Sequence, residues 1–174
     1  MSNELINRTL SSIILISLTL FFIIKGSFLF NIFISILFFI TSYEWHMMSK
    51  KKIYYIPGYV FLSLSFLSVF ALRNNFFDES LFLFLFILLT CISTDIGGYV
   101  FGKFFKGPKL TKISPKKTYS GVLGSYLFSF IAIIVFVKYS EMFNLGFENR
   151  FFNIKLLILL VTTSTVSQIG DIII

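Results

Sequence analysis

Six apolar runs, each about long enough to cross a lipid bilayer as a helix, constrain this chain more than any other feature. A spanning helix needs about 20 largely apolar residues. The runs cover residues 5–24, 26–43, 54–72, 81–98, 121–137 and 154 onward. Lys25 and Gly26 separate the first two runs so narrowly that we expect a tight turn, although one long tilted or re-entrant element would also fit. We therefore predict six spans ahead of five.

The composition also indicates a membrane protein, because 56% of the residues are hydrophobic and the mean hydropathy is +0.89. Helices satisfy their own backbone hydrogen bonds in lipid, whereas barrel strands would alternate apolar and polar residues, which these runs do not. The sequence predicts an all-α fold, a polytopic transmembrane helical bundle that forms a single integral membrane domain over residues 1–174. No small-residue cleavage site follows the first run, so we expect the first helix to be retained.

The basic residues are divided unequally between the two sides of the membrane. Ten of the 15 Lys and Arg residues fall on the side of the N-terminus, most of them at residues 50–52 and 103–117. Because positive residues favour the cytoplasmic side, we predict that the N-terminus and the Lys-rich loop are cytoplasmic. Glu44, Asp95 and Asp171 then all lie at cytoplasmic helix ends. Charged groups near the hydrocarbon usually have a function, although access to water at a helix end weakens that inference.

Residues 95–124 bring a carboxylate, six lysines and most of the glycines into an otherwise apolar chain. If the fourth helix continues through Asp95, then Gly98 and Gly102 share its face and Tyr99 lies one turn away. Lysine ammonium groups suit phosphate, and Gly-rich turns expose backbone N–H groups that bind anions. The simpler alternatives are close helix packing for the glycines and a lipid-headgroup anchor for the lysines. Neither alternative accounts for the acid.

The last apolar run carries a second polar face. Ser164, Gln168 and Asp171 recur at helical spacing, with Ser167 one turn before Asp171. Interhelical hydrogen bonding would explain the Ser and Gln side chains but not the carboxylate. Mg²⁺ prefers one or two carboxylates and completes its shell with substrate phosphates, so Asp95 and Asp171 are candidate metal ligands.

These residues resemble motifs of the phosphatidate cytidylyltransferase family, the CDP-diacylglycerol synthases. The family's Asp-x-Gly-x-Tyr-x-x-Gly-Lys stretch reads here as Asp95, Gly97, Tyr99, Gly102 and Lys103. Its Ile-Ser-Pro-Lys-Lys-Thr stretch occupies residues 113–118, its Gly-x-x-Gly matches Gly121 and Gly124, and its Ser-Gln-x-Gly-Asp occupies residues 167–171. The order and spacing of the helices also agree along nearly the whole chain.

The sequence departs from the family pattern in two respects. Ser120 stands where members often carry an acid or amide, and Ser125 stands where many carry a second glycine. Past the position of Asp171, members usually continue through Ser-x-x-Lys-Arg, Lys-Asp and His-Gly-Gly followed by Asp-Arg, whereas this sequence ends at Ile174. The resemblance therefore implies the N-terminal and central part of the family domain without its C-terminal part, and we expect either a fragment or a truncated, inactive form.

The resemblance implies a nucleotidyl transfer of phospholipid biosynthesis, in which CTP and phosphatidate give CDP-diacylglycerol and diphosphate with Mg²⁺ as cofactor. The implied catalytic residues are Asp95, Lys116, Lys117 and Asp171, with Asp171 at the metal and Asp95 at the metal or its outer coordination sphere. The residues implied to bind substrate phosphates are Gly98, Gly102, Lys103, Ser114, Lys116, Lys117 and Thr118. Glu44, Gln168 and Tyr99 are further candidates.

The expected partners are CTP, phosphatidate and membrane lipid, with no nucleic acid, and the resemblance implies a homodimer. The expected location is the bacterial inner membrane, with the active face towards the cytoplasm. Two other functions remain open. A CTP-dependent lipid-alcohol kinase would transfer the γ-phosphate instead, and a non-enzymatic transport or scaffold subunit would use the basic loop only to hold anionic lipids.

Overall fold

A computed structural model describes residues 3–74, 80–110, 114, 117–140 and 154–173 of the chain. These residues form six helices, each long and apolar enough to cross a membrane. The helices are α1 (Asn3–Lys25), α2 (Ser27–Ser49), α3 (Tyr55–Arg73), α4 (Ser80–Phe105), α5 (Tyr119–Ser140) and α6 (Ile154–Ile173). The all-α class and the six spans are confirmed, and the chain is an integral membrane protein.

Two helices extend six or seven residues beyond the C-terminal ends of the apolar runs that predicted them. α2 continues to Ser49 and α4 continues to Phe105, because an apolar run ends at the first polar residues whereas a helix ends only where its backbone geometry changes. After α4, that change occurs at Lys106, whose φ is 42°, and Pro108 follows two residues later.

The helices group into two compact units, Met1–Leu81 and Phe82–Ile174. The first unit contains α1, α2 and α3, and the second contains nearly all of α4 together with α5 and α6. The prediction of a single membrane domain stays a prediction.

In the first unit, Gly26 forms the turn between α1 and α2, and Arg73 at the end of α3 packs against it. Gly26 has a φ of 60°, and a Cβ atom there would lie 2.3 Å from Nη2 of Arg73, so glycine suits the position on both grounds. The Arg73 side chain is buried; its Nε donates to the carbonyl of Ile23 at 2.8 Å, and its Nη2 donates to that of Ile24 at 3.3 Å. Carbonyls at the C-terminus of a helix lack intrahelical partners, and Arg73 satisfies two of them.

In the second unit, an apolar core joins α4, α5 and α6. Its buried side chains are Phe82, Phe86, Ile133, Val137, Leu156 and Leu160. Further along α4, close packing against α5 depends on missing side chains: a Cβ atom at Gly97 would lie 2.6 Å from the carbonyl oxygen of Gly124, and one at Gly124 would lie 2.2 Å from Cβ of Phe101. Small residues let transmembrane helices approach closely, and this contact fixes the end of α4 beside the start of α5.

Candidate active site

A cavity of about 320 Å³ lies in the second unit, where the polar ends of α4 and α6 meet the start of α5. Two carboxylates and two lysines line it together with small polar and apolar side chains. The lining residues are Thr94, Asp95, Gly98, Tyr99, Gly102, Lys103, Leu110, Lys117, Thr118, Gly121, Val122, Ser125, Gln168 and Asp171. The cavity therefore combines both signs of charge at the ends of membrane-spanning helices.

The loop between α4 and α5 positions Lys117 through backbone pairing. The N–H of Leu110 donates to the carbonyl of Lys117 at 2.8 Å, and the N–H of Tyr119 donates to that of Pro108 at 3.1 Å. These bonds flank an antiparallel bridge between Lys109 and Thr118. The bridge brings a lysine from a polar loop to the cavity wall.

Thr118 begins α5 as its N-cap residue. Its Oγ1 accepts a hydrogen bond from the N–H of Gly121 at 3.1 Å, the contact typical of an N-cap threonine. Ser120 Oγ lies 3.1 Å from Thr118 Oγ1 and accepts a hydrogen bond from the N–H of Gly107 at 3.2 Å. In this structure, the backbone N–H groups of Gly107 and Gly121 therefore bond to side chains of the protein.

The charged groups of the cavity come from three different elements. Asp95 lies on α4 and Asp171 on α6, and Lys117 Nζ forms an ion pair with Asp171 Oδ2. The Lys117 and Asp171 side chains are 40% and 44% exposed, so solvent reaches the pair. Asp95 Oδ1 accepts a longer hydrogen bond, 3.4 Å, from Ser167 Oγ. Lys103 Nζ lies 3.5 Å from the hydroxyl oxygen of Tyr99.

Hydrogen bonds among polar side chains within the helices connect the three helices that line the cavity. Thr94 Oγ1 donates to Ser164 Oγ at 3.0 Å, and Gln168 Nε2 donates to the same oxygen at 3.3 Å. Ser125 Oγ donates to the carbonyl of Thr94 at 2.8 Å. Since polar groups buried in a membrane protein need partners, these bonds join α4, α5 and α6 and place Gln168 beside the acids.

The charge and donor set of this cavity suits phosphates and a hard divalent cation. Within the described residues, no group of three or more His, Cys, Asp and Glu side chains lies close enough to hold a metal ion. The two carboxylates lining the cavity would leave room in a Mg²⁺ shell for water and phosphate oxygens, as this ion prefers.

A sequence model of the Cytidylyltransferase family matches residues 63–174, which include every residue that lines the cavity. The chain belongs to this family.

Curated relatives of the chain are phosphatidate cytidylyltransferases. The chain is 32% identical over 121 residues to phosphatidate cytidylyltransferase 1 of Arabidopsis thaliana, covering 65% of this chain and 28% of the relative. It is 40% identical over 73 residues to phosphatidate cytidylyltransferase 1 of Rattus norvegicus, covering 40% of this chain and 15% of the relative. It is 29% identical over 168 residues to phosphatidate cytidylyltransferase of Rickettsia typhi, covering 94% of this chain and 72% of the relative.

The matches cover less than a third of the length of the plant and rat relatives. No solved structure matches the chain.

Most of the cytidylyltransferase residues predicted from the sequence come together at this cavity. It is lined by the predicted residues Asp95, Gly98, Tyr99, Gly102, Lys103, Lys117, Thr118, Gln168 and Asp171. Their functional roles stay predictions. A Cβ atom at Gly98 would lie 2.7 Å from Ser125 Oγ and one at Gly102 would lie 3.2 Å from Thr118 Oγ1, so these glycines also serve helix packing. Thr118 has the capping contact given above.

Two predicted residues, Ser114 and Glu44, are not among the residues that line the cavity, and the position of a third is not described. Lys116 lies outside the described residues. Ser114 is described, and its carbonyl accepts a hydrogen bond from the N–H of Lys117 at 3.2 Å, but it is not among the lining residues. Glu44 is exposed on α2 in the first unit, and its role stays a prediction.

The sequence analysis missed Thr94 and Ser125 as residues that line this cavity. Both are buried polar residues within apolar spans, and this is the signal that could have identified them, because a polar side chain in a span has to face protein or water. Ser125 was noted only where the family pattern has a glycine. Its contact with Thr94 gives the hydroxyl a structural role.

Proposed function

We propose that this chain carries the phosphate-binding and metal-binding part of a phosphatidate cytidylyltransferase, which converts CTP and phosphatidate into CDP-diacylglycerol and diphosphate. The observation that carries the proposal is the single cavity in which Asp95, Asp171, Lys103 and Lys117 meet at the ends of membrane helices. The proposal is also supported by family membership and by the names of the curated relatives.

In the proposed reaction, a phosphate oxygen of phosphatidate attacks the α-phosphorus of CTP. A new bond forms between that oxygen and phosphorus, the bond from the α-phosphorus to the bridging oxygen breaks, and diphosphate leaves with the bonding electrons. Such chemistry requires alignment of the reactants and neutralisation of charge more than covalent work by the protein. The proposal is supported by the two carboxylates and two lysines of the cavity, which come from elements that pack against one another.

Asp95 and Asp171 would hold Mg²⁺, which neutralises charge on the triphosphate and orients it. Lys103 and Lys117 would bind phosphate oxygens as point charges, and the predicted role of Lys116 is the same. Lys117 is paired with Asp171 in this structure, so a phosphate group entering the cavity competes with the Asp171 carboxylate for its ammonium group. An exposed ion pair contributes only about 0–1 kcal/mol, so this exchange costs little.

The proposal includes an orientation and an assembly. The excess of basic residues on one side favours a cytoplasmic cavity, where CTP is available and phosphatidate can approach within the leaflet. We infer the bacterial inner membrane as the location and a homodimer as the assembly, both from the family resemblance.

The test uses CTP labelled either at the α-phosphate or at the γ-phosphate, with membranes containing the full 174-residue chain, Mg²⁺ and, in separate reactions, either phosphatidate or a lipid alcohol such as diacylglycerol. We expect the α-label to enter lipid. We also expect Asp171→Asn and Lys117→Met to reduce the rate by roughly a hundredfold, the usual cost of losing one group that stabilises charge in a transition state. Lys138→Met is the matched control, because it removes an exposed lysine from the far end of α5.

Each alternative has its own result. Entry of the γ-label alone would identify a lipid kinase. If CTP binds and Asp171→Asn abolishes its binding while no label enters lipid, the site assignment stands but this chain does not catalyse the transfer. If CTP does not bind at all, the proposal fails and a transport or scaffold subunit becomes the better interpretation.

A further inference from the structure

The connection between α2 and α3 presents three consecutive lysines far along the chain from the cavity residues. Lys50, Lys51 and Lys52 follow directly after α2, and all three are exposed. The one ion pair found within the described residues is that of Lys117 and Asp171, so the structure pairs none of these three lysines with an acid. Their charge is available to an anionic partner.

This turn is held in a defined conformation. The N–H of Lys50 donates to the carbonyl of His46 at 3.0 Å, and that of Lys52 donates to the carbonyl of Ser49 at 2.9 Å. At the start of α3, Tyr55 contacts two side chains of α2. Trp45 Nε1 donates to the Tyr55 carbonyl at 3.1 Å, and His46 Nδ1 lies 2.9 Å from the Tyr55 hydroxyl oxygen. A preorganised turn loses little conformational entropy when it binds a ligand.

Exposed apolar side chains surround the lysines. Ile53 is 101% exposed, Met47 and Met48 are 63% and 69% exposed, and Tyr54 is 49% exposed. An isoleucine fully exposed to water forgoes the stabilisation of burial. At the boundary between headgroups and acyl chains, in contrast, apolar side chains beside lysines are favourable.

We propose that the α2–α3 turn, residues 47–54, is a docking surface for anionic phospholipid headgroups. The lysines contact lipid phosphates, while Ile53 and the methionines enter the adjacent acyl region. Charge alone would suit a soluble polyphosphate equally well. The exposed apolar side chains beside the lysines, and the position of the turn at the ends of two spanning helices, favour lipid. This inference is independent of the proposed catalytic activity.

Trp45 provides a direct reporter, because it is the only tryptophan of the chain and its ring centroid lies 6.0 Å from that of Tyr54 in this turn. We would reconstitute the full chain in phosphatidylcholine bilayers and add either brominated phosphatidylglycerol or brominated phosphatidylcholine. Quenching of Trp45 fluorescence then gives the relative association of the two lipids with its surroundings. Each surface lysine adds about a fivefold preference for anionic lipid, so we expect a preference of at least about fivefold for phosphatidylglycerol in low salt.

The test variant is Lys50→Gln/Lys51→Gln/Lys52→Gln, and we expect it to lower the preference to near one. The matched control, Lys25→Gln/Lys138→Gln/Lys155→Gln, removes the same charge from three other exposed positions and should keep the preference. Raising the salt concentration to about 1 M should also weaken the preference, since the Debye length falls to about 3 Å.

Equal quenching by both lipids in the unmodified protein, or a preference that survives in the test variant, would overturn the proposal. If soluble triphosphate at constant ionic strength relieves the quenching by brominated phosphatidylglycerol, the ligand of this turn is a nucleotide and the proposal of a lipid ligand is wrong.

Discussion

Substitution of Gly124 by alanine tests the close packing that places the end of α4 beside the start of α5. A Cβ atom at this position would lie 2.2 Å from Cβ and 2.3 Å from Cγ of Phe101, whereas carbon atoms in contact prefer about 3.5–4.0 Å. The two helices would have to separate locally by roughly 1.3 Å. Cβ of Phe101 is fixed to the backbone, so a change of rotamer cannot relieve this clash. Overpacking of this kind costs about 1–3 kcal/mol.

Gly170→Ala is the matched control. Gly170 lies within α6, and nothing lies within 4 Å of the position that its Cβ would occupy. Both substitutions replace a helical glycine with alanine, so the gain in helix propensity is similar in the two variants and largely cancels in their comparison. The difference in stability between them therefore measures the overpacking term, which we expect to be about 2 kcal/mol.

The assay follows thermal unfolding in detergent through Cys91, the only cysteine of the chain, which is half-buried on α4. A dye that becomes fluorescent on reacting with thiols reports the exposure of Cys91 as the second unit unfolds. At about 2–4 °C per kcal/mol, the Gly124→Ala variant should melt about 4–8 °C below the Gly170→Ala variant. Equal melting temperatures for the two variants would show that α4 and α5 are not packed as the structure has them.

Three further substitutions test individual contacts. Thr118→Ala should lower stability by about 1 kcal/mol in the same assay, because the N–H of Gly121 loses its cap, while Thr118→Ser should retain most of it. Arg73→Met should destabilise the first unit by about 1–3 kcal/mol, because two carbonyls of α1 lose their hydrogen-bond donors. Thermal unfolding monitored by tryptophan fluorescence measures this change, and an unchanged melting temperature would refute the capping role. Tyr126→Phe should cost only about 0.6 kcal/mol, because its 2.8 Å contact with Thr165 joins two hydroxyl groups within a membrane span, and a double-mutant cycle with Thr165→Val measures it.

The spans could be predicted because their signal is local. Hydrocarbon thickness fixes the length of an apolar run, so each run in the sequence corresponds to one helix, and Gly26 between two runs corresponds to a turn with positive φ. The helix ends were less predictable. α2 and α4 continue through polar residues to Ser49 and Phe105. Hydropathy alone ends each predicted span before these polar residues, although their backbone can remain helical.

The candidate site was predictable to the extent that its residues form motifs along the chain. Asp95, Lys103 and Lys117 could be grouped because the loop after α4 follows its polar end directly. Asp171 could be grouped with Asp95 because the distribution of basic residues predicts both helix ends on one side of the membrane, and the structure places both on the same cavity. Thr94 and Ser125 were missed, because the polar partner of a hydroxyl group within an apolar span is not adjacent in sequence.

The sequence by itself determined the membrane-spanning class, the number of helices and the residue types available for phosphate and metal chemistry. Only the tertiary structure decided which glycines serve packing, that Thr118 caps α5, and that Lys117 pairs with Asp171. The physical reason is that helix formation in lipid depends on hydrogen bonds within one segment, whereas these contacts depend on which helix faces meet. A glycine that could bind an anion and a glycine that admits a neighbouring helix are identical in sequence, and only the atoms opposite them distinguish the two roles.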